Sequence, residues 1–442
     1  MQCQIFSCKI KKQREKRKHF IDTKVGRFLK QIVVHGQRNE TTVALLEDGK
    51  LTEFFVERPN VRKLVGNIYK GRVSNVLPGM GAAFVDIGLE KNAFLYIDDL
   101  LPAHLEQQPK VKPSIDKLVR AGDEILVQIV REPVGTKGAR VTTHYALTGR
   151  WLVYMPMAGY IALSKKIESE EERRRLKAFG DQLCREGEGL ILRTVAEGAD
   201  YEALESDMQM LRTRWQRISA AADALPAPCE VYTDVELVPR LIRDIVTDEI
   251  DEIVVDDAER MQEARAMLES VAPQLTERVR LHQGKQNVME AFHIREQLEK
   301  ALQPKQWLAS GGYLVIDQTE ALTVIDVNTG KYTGSTNLEE TVLTTNIEAA
   351  GEIARQLRLR DIGGIIIIDF IDMEQEEHRE RIVQALEASV QNDRTKAHIV
   401  GWTKLGLLEM TRKKVREQKD TLFFVPCKAC GGRGKVRSST IF

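Results

Sequence analysis

Two aspartates that follow short apolar runs are the residues of this chain whose type and spacing most directly suggest chemistry. Asp326 follows the run at 322–325, and Asp369 follows the run at 365–368. Short β-branched runs bounded by glycine and polar residues predict buried strands. Paired carboxylates at one edge of a sheet suit Mg²⁺, which keeps several waters and shares its coordination sphere with phosphates. An equally simple interpretation is that the two aspartates begin turns or cap helices.

The segment between the two runs predicts the element that would bring the aspartates together. Residues 337–360 carry apolar side chains at helical spacing. A helix that crosses between neighbouring parallel strands leaves both carboxyl ends at the same edge of the sheet, where α/β proteins bind ligands. Near this edge, Asp372 is either a third carboxylate or, as we prefer, a cap for the following helix. Arg360 either reaches a phosphate or ends its helix as a cation near the dipole.

A second candidate site is the Cys-x-x-Cys motif formed by Cys427 and Cys430. Structural zinc takes four ligands, and no other Cys or His lies close in sequence. The simplest completion is a second copy of the chain, which predicts one zinc ion shared across a homodimer. Redox activity and free thiols are the alternatives.

Residues 66–142 contain a series of short predicted strands with glycine turns, which favours a small barrel. Phe84 and Phe94 lie on successive strands, where they either stack on bases or fill the core. Nearby basic side chains are candidates for contacts with phosphates; they are Lys70, Arg72, Lys91, Lys137 and Arg140.

Arg193 and Thr194 end another apolar run, beside Gly198. A guanidinium with a neighbouring hydroxyl can grip a terminal phosphate through forked hydrogen bonds. An ordinary surface arginine is the simpler alternative. Asp256 and Asp257 fit a turn between a strand and a helix better than they fit a second metal pair.

Length, charge and cysteine usage limit the class of protein. The 442 residues suggest about three domains. Lys and Arg total 65 and Asp and Glu total 65, a balance that neither suggests nor excludes a nucleic-acid partner. The first thirty residues are locally basic, and a disordered tail is preferred there over an RNA contact. The absence of an apolar run of membrane length, of a secretory signal and of a disulfide framework predicts a soluble, cytoplasmic protein.

The order of several motifs resembles that of the bacterial ribonuclease E/G family, across residues 29–436. These motifs are GNIYKGRV, AAFVDIG, FLYIDDLLP, TEALTVIDVNTG, IIIIDFIDM, GLLEMTR and the final CxxCGGxG. The resemblance implies a multidomain α/β fold. In it a ribonuclease-H-like domain receives an inserted OB-fold RNA-binding barrel and a 5′-sensor region, and is followed by a DNase-I-like α/β catalytic domain and a zinc-link.

The implied boundaries are a basic extension at 1–27, the ribonuclease-H-like domain at 28–65 and 238–300, the barrel at 66–145, the 5′-sensor region at 146–237, the catalytic domain at 301–423, and the zinc-link with its tail at 424–442. The family commonly continues into a further small domain that helps dimers to pair. Because this chain ends at Phe442, we expect a homodimer and leave the tetramer open.

The resemblance also implies an activity and its residues. It implies a Mg²⁺-dependent endoribonuclease that cleaves single-stranded RNA, favours 5′-monophosphorylated substrates, leaves 5′-phosphate and 3′-hydroxyl ends, and acts in rRNA processing and mRNA decay. Catalysis would fall to Asp326, Asn328 and Asp369, with one Mg²⁺ on the two aspartates. The 5′-phosphate would lie at Arg193 and Thr194, backed by Gly149 and Val153, and the RNA would lie at Phe84, Phe94 and Lys137. Cys427 and Cys430 would bind a zinc ion shared between two chains.

Two other hypotheses also fit the sequence. One is an RNA-binding protein of the same fold that has lost catalysis, and the other is a zinc-linked structural dimer whose aspartates cap turns. The presence of Asp326, Asn328 and Asp369 together argues against the first.

Overall fold

The computed structural model of the chain describes residues 29–37, 40–58, 63–102, 109, 111–133, 137–234, 237–247, 249–319, 321–330, 338–391, 393–414, 423–425, 427–430, 434 and 436. The predicted basic extension at 1–27 lies outside these residues. Within the part of the chain that the structure describes, no helix is long and apolar enough to cross a membrane.

The described residues form a mixed α/β structure with four sheets. In chain order the strands are β1 (Lys30–Gln37), β2 (Glu40–Glu47), β3 (Lys50–Glu57), β4 (Ile68–Leu77), β5 (Ala82–Asp86), β6 (Ala93–Tyr96), β7 (Glu124–Arg131), β8 (Arg140–Thr142), β9 (Leu147–Thr148), β10 (Leu152–Met155), β11 (Ile161–Leu163), β12 (Gly189–Leu192), β13 (Cys229–Tyr232), β14 (Ile250–Val255), β15 (Val279–Leu281), β16 (Lys305–Trp307), β17 (Tyr313–Gln318), β18 (Leu322–Asn328), β19 (Gly364–Asp369), β20 (Ala397–Trp402) and β21 (Leu408–Arg412). The helices are α1 (Glu170–Leu183), α2 (Tyr201–Ala224), α3 (Leu237–Ile245), α4 (Ala258–Val271), α5 (Val288–Ala291), α6 (Ile294–Ala301), α7 (Leu338–Arg360) and α8 (Glu376–Gln391).

The first sheet joins the N-terminal strands to a later part of the chain, in the order β15-β14-β1-β2-β3. β1 is antiparallel to β2 and parallel to β14. Asp48 and Gly49 turn the chain between β2 and β3 with φ values of 50° and 75°, a tight-hairpin geometry that Asp-Gly sequences favour. Helices α3 and α4 cover one face of this sheet, and residues from α5, α6 and α7 cover the other.

Strands β4 to β8 close into a five-stranded barrel, in the order β4-β5-β6-β8-β7 with β7 returning to β4. The predicted small barrel is confirmed, and its form is OB-like. Its interior contains fully buried small and branched residues, among them Ala83, Val85, Ala93 and Leu95. Strand β13 adds to β4 in antiparallel orientation.

The third sheet has the order β11-β12-β10-β9 and packs against α1 and α2. Both helices begin at a side-chain cap, because Ser169 accepts a hydrogen bond from the Glu172 N–H and Asp200 accepts one from the Ala203 N–H. The chain enters this sheet directly from the barrel, at β9.

The fourth sheet has the order β16-β17-β18-β19-β21-β20. Strands β18 and β19 are parallel neighbours, and α7 connects them. The predicted strand, crossover helix and strand are therefore confirmed. One face of the sheet packs against α7 and α8 through the largest apolar cluster of the described chain.

Glu53, on β3, links the first sheet to the elements around the fourth. Its carboxylate accepts hydrogen bonds from Arg358 at 2.9 Å and from Arg394 at 2.7 Å. Burial would raise the pKa of this carboxyl, but the two arginines outweigh burial and lower the pKa of Glu53 to about 2. The side chain is therefore ionised at neutral pH and ties α7 to β3.

Candidate active site

Asp326 and Asp369 lie side by side on neighbouring strands, as register partners of β18 and β19. Ile325 and Ile368, which precede them, are fully buried against the helices. Because side chains alternate along a strand, both aspartates point to the opposite face, where both residues are exposed. The structure thus brings the two predicted carboxylates together on the open face of the sheet, near the carboxyl ends of their strands.

Asn328 shares this face, two residues beyond Asp326. Its Nδ2 donates a hydrogen bond to Asp326 Oδ2 at 2.8 Å. This contact leaves Oδ1 of Asp326 for other partners and fixes the plane of the carboxylate. The three predicted catalytic residues therefore form one cluster.

The cluster concentrates negative charge. Partial burial raises the pKa of Asp369, and the charges of Asp326 and Asp372 raise it further. Within the described residues, no group of three or more His, Cys, Asp or Glu side chains is arranged to hold a metal ion. The donor set is therefore a pair of carboxylates with an open solvent side, and this suits a cation that retains waters.

Asn346, a residue that sequence reasoning missed, holds the segment that follows Asp369. It lies on α7 and is fully buried. Its Nδ2 donates to the carbonyl of Ile371 at 2.8 Å, and its Oδ1 accepts from the Ile371 N–H at 3.1 Å. The sequence feature that could have indicated this role is a polar residue on an otherwise apolar face of the predicted helix.

The structure gives the positions of three side chains for which the sequence allowed two interpretations. The cap prediction for Asp372 is wrong, because α8 begins only at Glu376. Arg360 ends α7, is buried, and donates from Nε to Gln356 at 2.9 Å, so its place agrees with the helix-terminal interpretation. Asp257 caps α4, which agrees with a turn between strand and helix rather than a second metal pair.

Arg193 follows β12 in the third sheet and is fixed by three partners. Its Nη1 donates to the carbonyls of Gly149 at 2.8 Å and Arg150 at 3.2 Å. Its Nη2 lies 2.9 Å from Oδ1 of Asp244, at the end of α3. Sequence reasoning anticipated the neighbourhood of Gly149 but not Asp244, because α3 is distant in sequence.

Thr194 and Val153 complete the predicted phosphate-binding group. The Thr194 hydroxyl shares a hydrogen bond of 2.8 Å with the Ser164 hydroxyl. Val153, on β10, is the register partner of Ile191 on β12. All four predicted residues of this group therefore lie in or beside the β9-β10-β12 part of one sheet.

Gly149 cannot carry a side chain in this arrangement. A Cβ atom there would lie 2.4 Å and 2.5 Å from the carboxylate oxygens of Asp207. Asp207 accepts hydrogen bonds from the N–H groups of Arg150, Trp151 and Leu152. Burial raises the pKa of Asp207 although these N–H groups favour the anion. The carboxylate thus shapes the turn that presents the Gly149 carbonyl to Arg193.

Phe84 and Phe94 are cross-strand partners on β5 and β6. Their ring centroids lie 6.0 Å apart at an interplanar angle of 71°. Both are half-buried, whereas their neighbours Ala83 and Val85 face the closed core. The sequence left their orientation open, and the structure places both rings on the outside of the barrel.

The basic residues of the barrel differ in their surroundings. Lys70 and Arg72 pair with Glu124 at 3.1 Å and 2.9 Å. Arg140, the register neighbour of Phe94, pairs with Asp99 at 3.0 Å. Lys137 is exposed. Carboxylates of the barrel therefore engage three of these cations, whereas Lys137 faces solvent.

Backbone N–H groups lie beside the thiols of Cys427 and Cys430. Hydrogen bonds from the backbone N–H groups of Cys430 and Ala429 lower the pKa of the Cys427 thiol. The Gly434 N–H donates to Cys430 Sγ at 3.3 Å. The lowered pKa favours the thiolate of Cys427, which is the form that binds metal. One described chain supplies two sulfur ligands here, so a four-ligand zinc site needs further donors.

Fold and site together define a mixed α/β protein in which an OB-like barrel accompanies a sheet with paired aspartates. The sequence model of the Ribonuclease E/G family matches residues 146–415. Ribonuclease G of Haemophilus influenzae is 44% identical over 415 residues, which cover 92% of this chain and 84% of that protein.

Ribonuclease G of Escherichia coli K12 is 44% identical over 413 residues, with the same coverage. Ribonuclease E of a Nostoc species is 39% identical over 409 residues, which cover 92% of this chain and 58% of that protein. The chain therefore belongs to the Ribonuclease E/G family.

Proposed function

We propose that this protein cuts single-stranded RNA with Mg²⁺, favours 5′-monophosphorylated substrates and leaves 5′-phosphate and 3′-hydroxyl ends. Family membership and identity to proteins named Ribonuclease G make it an endoribonuclease of RNA processing and decay. Ribosomal RNA precursors and messenger RNAs are the proposed substrates. The observation that carries the proposal is the register pairing of Asp326 with Asp369.

The residues present fit a single Mg²⁺ ion. Asp326 and Asp369 are hard oxygen donors. Burial raises the pKa of Asp369, and the charges of Asp326 and Asp372 raise it further; a divalent cation would offset those two charges. Bound there, Mg²⁺ would ionise a water and stabilise charge on the attacked phosphate. Asn328 orients Asp326 through its 2.8 Å hydrogen bond. Attack of water on phosphorus with departure of the 3′ oxygen yields the proposed ends.

The proposed RNA path uses two further surfaces. The outward rings of Phe84 and Phe94 would stack on bases, and the exposed Lys137 would contact the backbone. Arg193 and Thr194 would bind the 5′-phosphate, with Gly149 and Val153 behind them.

We assign the four sheets to the domains that the resemblance implies. Three antiparallel strands followed by parallel β14 and β15 support a ribonuclease-H-like domain. The fourth sheet with α7 and α8 would be the DNase-I-like catalytic domain. The thiolate character of Cys427 supports a zinc-link that joins two chains, and we propose a cytoplasmic homodimer.

The decisive experiment compares the parent with Asp326→Asn and a matched control, Asp317→Asn. Asp317 is exposed on the same sheet face, one strand away on β17. With Mg²⁺ and a 5′-monophosphorylated single-stranded RNA, we expect the parent and Asp317→Asn to cut and Asp326→Asn to bind without cutting. A parent that binds RNA but leaves it intact would reject the catalytic proposal in favour of an RNA-binding protein.

A further inference from the structure

The carboxylate of Asp244 forms an ion pair with the guanidinium of Arg193, which we assign to binding of the 5′-phosphate. Arg193 Nη2 and Asp244 Oδ1 are 2.9 Å apart, and their side chains are 24% and 28% exposed. Water and a small anion can therefore reach this pair. A phosphate that binds Arg193 meets a negative charge at contact distance.

Arg193 does not need Asp244 for its orientation. Two backbone carbonyls, of Gly149 and Arg150, already hold Nη1. Removal of the Asp244 charge would leave these bonds and release Nη2. A role in orienting Arg193 is therefore the weaker interpretation, and a competing role is the stronger one.

Asp244 also has a second partner that keeps it in place. Arg243 donates from Nε and Nη2 to the two carboxylate oxygens, each at 3.2 Å, and its own Nη1 donates to the carbonyl of Thr148 at 3.1 Å. Burial opposes ionisation of Asp244, but Arg243 and Arg193 together lower its pKa. Arg193 can thus exchange Asp244 for a phosphate while Asp244 remains ionised beside Arg243.

We propose that Asp244 is a specificity-determining residue that competes with the RNA 5′-phosphate for Arg193. This inference rests on the proposed 5′-phosphate site. A terminal phosphate carries about 1.5 to 2 negative charges at neutral pH, whereas an internal phosphodiester carries one. The Asp244 carboxylate therefore repels a terminal phosphate more strongly than an internal one, and it lowers the preference of Arg193 for a 5′-monophosphorylated chain end.

The test measures kcat/KM with Mg²⁺ on one single-stranded RNA that carries either a 5′-phosphate or a 5′-hydroxyl. The ratio of the two values is compared among the parent, Asp244→Asn, Asp244→Glu and Asp234→Asn. Asp234 lies 3.6 Å from Arg243 in the same cluster and serves as the control for loss of one charge. Because both RNAs are cut by one preparation, a general loss of folded protein cancels in the ratio.

We expect Asp244→Asn to raise the ratio about fivefold, the effect of a unit charge at about 4 Å in water. Asp244→Glu keeps the carboxylate and should stay at or below the parent's ratio, and Asp234→Asn should keep it. An unchanged or lower ratio in Asp244→Asn overturns the inference, and so does an equal rise in Asp244→Glu.

Arg193→Gln separates this inference from the proposed function. If the parent favours the 5′-phosphate and Arg193→Gln abolishes that preference, the proposed site stands even when Asp244→Asn has no effect. A parent that treats both RNAs alike, or cuts neither, rejects the proposed function and the inference with it.

Discussion

Replacement of Asn346 by alanine is expected to loosen the backbone that carries Asp369. The amide makes two hydrogen bonds to Ile371, at 2.8 Å and 3.1 Å, and its residue is fully buried. Water cannot easily replace the lost groups. The variant leaves a backbone N–H and a C=O without their partner, at about 1 to 3 kcal/mol for each unsatisfied group. For the two groups together, we expect the free energy of unfolding to fall by about 2 to 6 kcal/mol.

The same change should lower catalysis, because Ile371 lies two residues beyond Asp369 on the segment that leads to Asp372. Misplacement of a catalytic group by about 1 Å can lower a rate roughly a hundredfold. We therefore expect kcat at saturating RNA to fall by roughly ten- to a hundredfold, with a higher Mg²⁺ requirement. Urea unfolding and a Mg²⁺ titration of cleavage measure the two effects.

Thr345→Val is the matched control for Asn346→Ala. Thr345 is equally buried on the same helix turn, but its hydroxyl donates to the Thr341 carbonyl at 2.9 Å within α7. This variant should cut RNA like the parent. Parental kcat in Asn346→Ala, measured on folded protein, would refute the idea that α7 positions the aspartate.

Three further predictions concern other parts of the molecule. Glu53→Gln should lower the free energy of unfolding by about 3 kcal/mol. The pKa of Glu53 is lowered from 4.5 to about 2 in the folded protein. The stability difference between parent and variant should therefore be full above about pH 4.5 and shrink as the pH falls toward 2. Urea unfolding at a series of pH values measures it. Gly149→Ala should destabilise the fold and abolish the preference for a 5′-phosphate, because the new Cβ meets the Asp207 carboxylate. Gly351→Ala on α7 is its control. The space around this Cβ is open, so the change should stabilise the folded protein by roughly 0.5 to 1 kcal/mol. Cys427→Ser should lose zinc in metal analysis and dimer in analytical ultracentrifugation; a dimeric, zinc-loaded variant would contradict the shared site.

Local patterns predicted the elements of the fold but not their long-range partners. The periodicity of α7 and the β-branched runs of β18 and β19 are short-range properties, so the crossover was visible in sequence. The pairing of β1 with β14 depends on chain segments separated by the whole barrel and third sheet. Closure of the barrel through β4 and β7 likewise depends on register, which single-strand patterns do not encode.

In the candidate site, too, the sequence predicted individual residues but not which residues lie beside them. Strand ends predicted Asp326 and Asp369, whereas the alternation of Phe84 and Phe94 could not decide their face. In the structure Ala83 and Leu95 face the barrel interior, so the alternating Phe84 and Phe94 face outward. Asp244 could not be predicted, because its helix α3 is distant in sequence from its partner Arg193.

The placement of the proposed phosphate-binding group, Arg193 and Thr194, suggests how a 5′-end would influence cutting. Within the described residues, Arg193 and Thr194 make no hydrogen bond to Asp326 or Asp369. The two units meet through Lys166, which donates to the Asp393 carbonyl at 3.0 Å. Asp393 in turn is fixed by Arg412 on β21, the neighbour of β19.

These hydrogen bonds link the two regions without placing Arg193 or Thr194 against the aspartate pair. A bound 5′-phosphate would therefore raise the occupancy of the cutting site by the same RNA molecule and leave the chemistry at Asp369 unaltered. The preference for 5′-monophosphorylated RNA should then appear in KM, and kcat at saturating RNA should be equal for both 5′ ends. A preference that persists in kcat would show instead that the phosphate-binding group alters the aspartate pair itself.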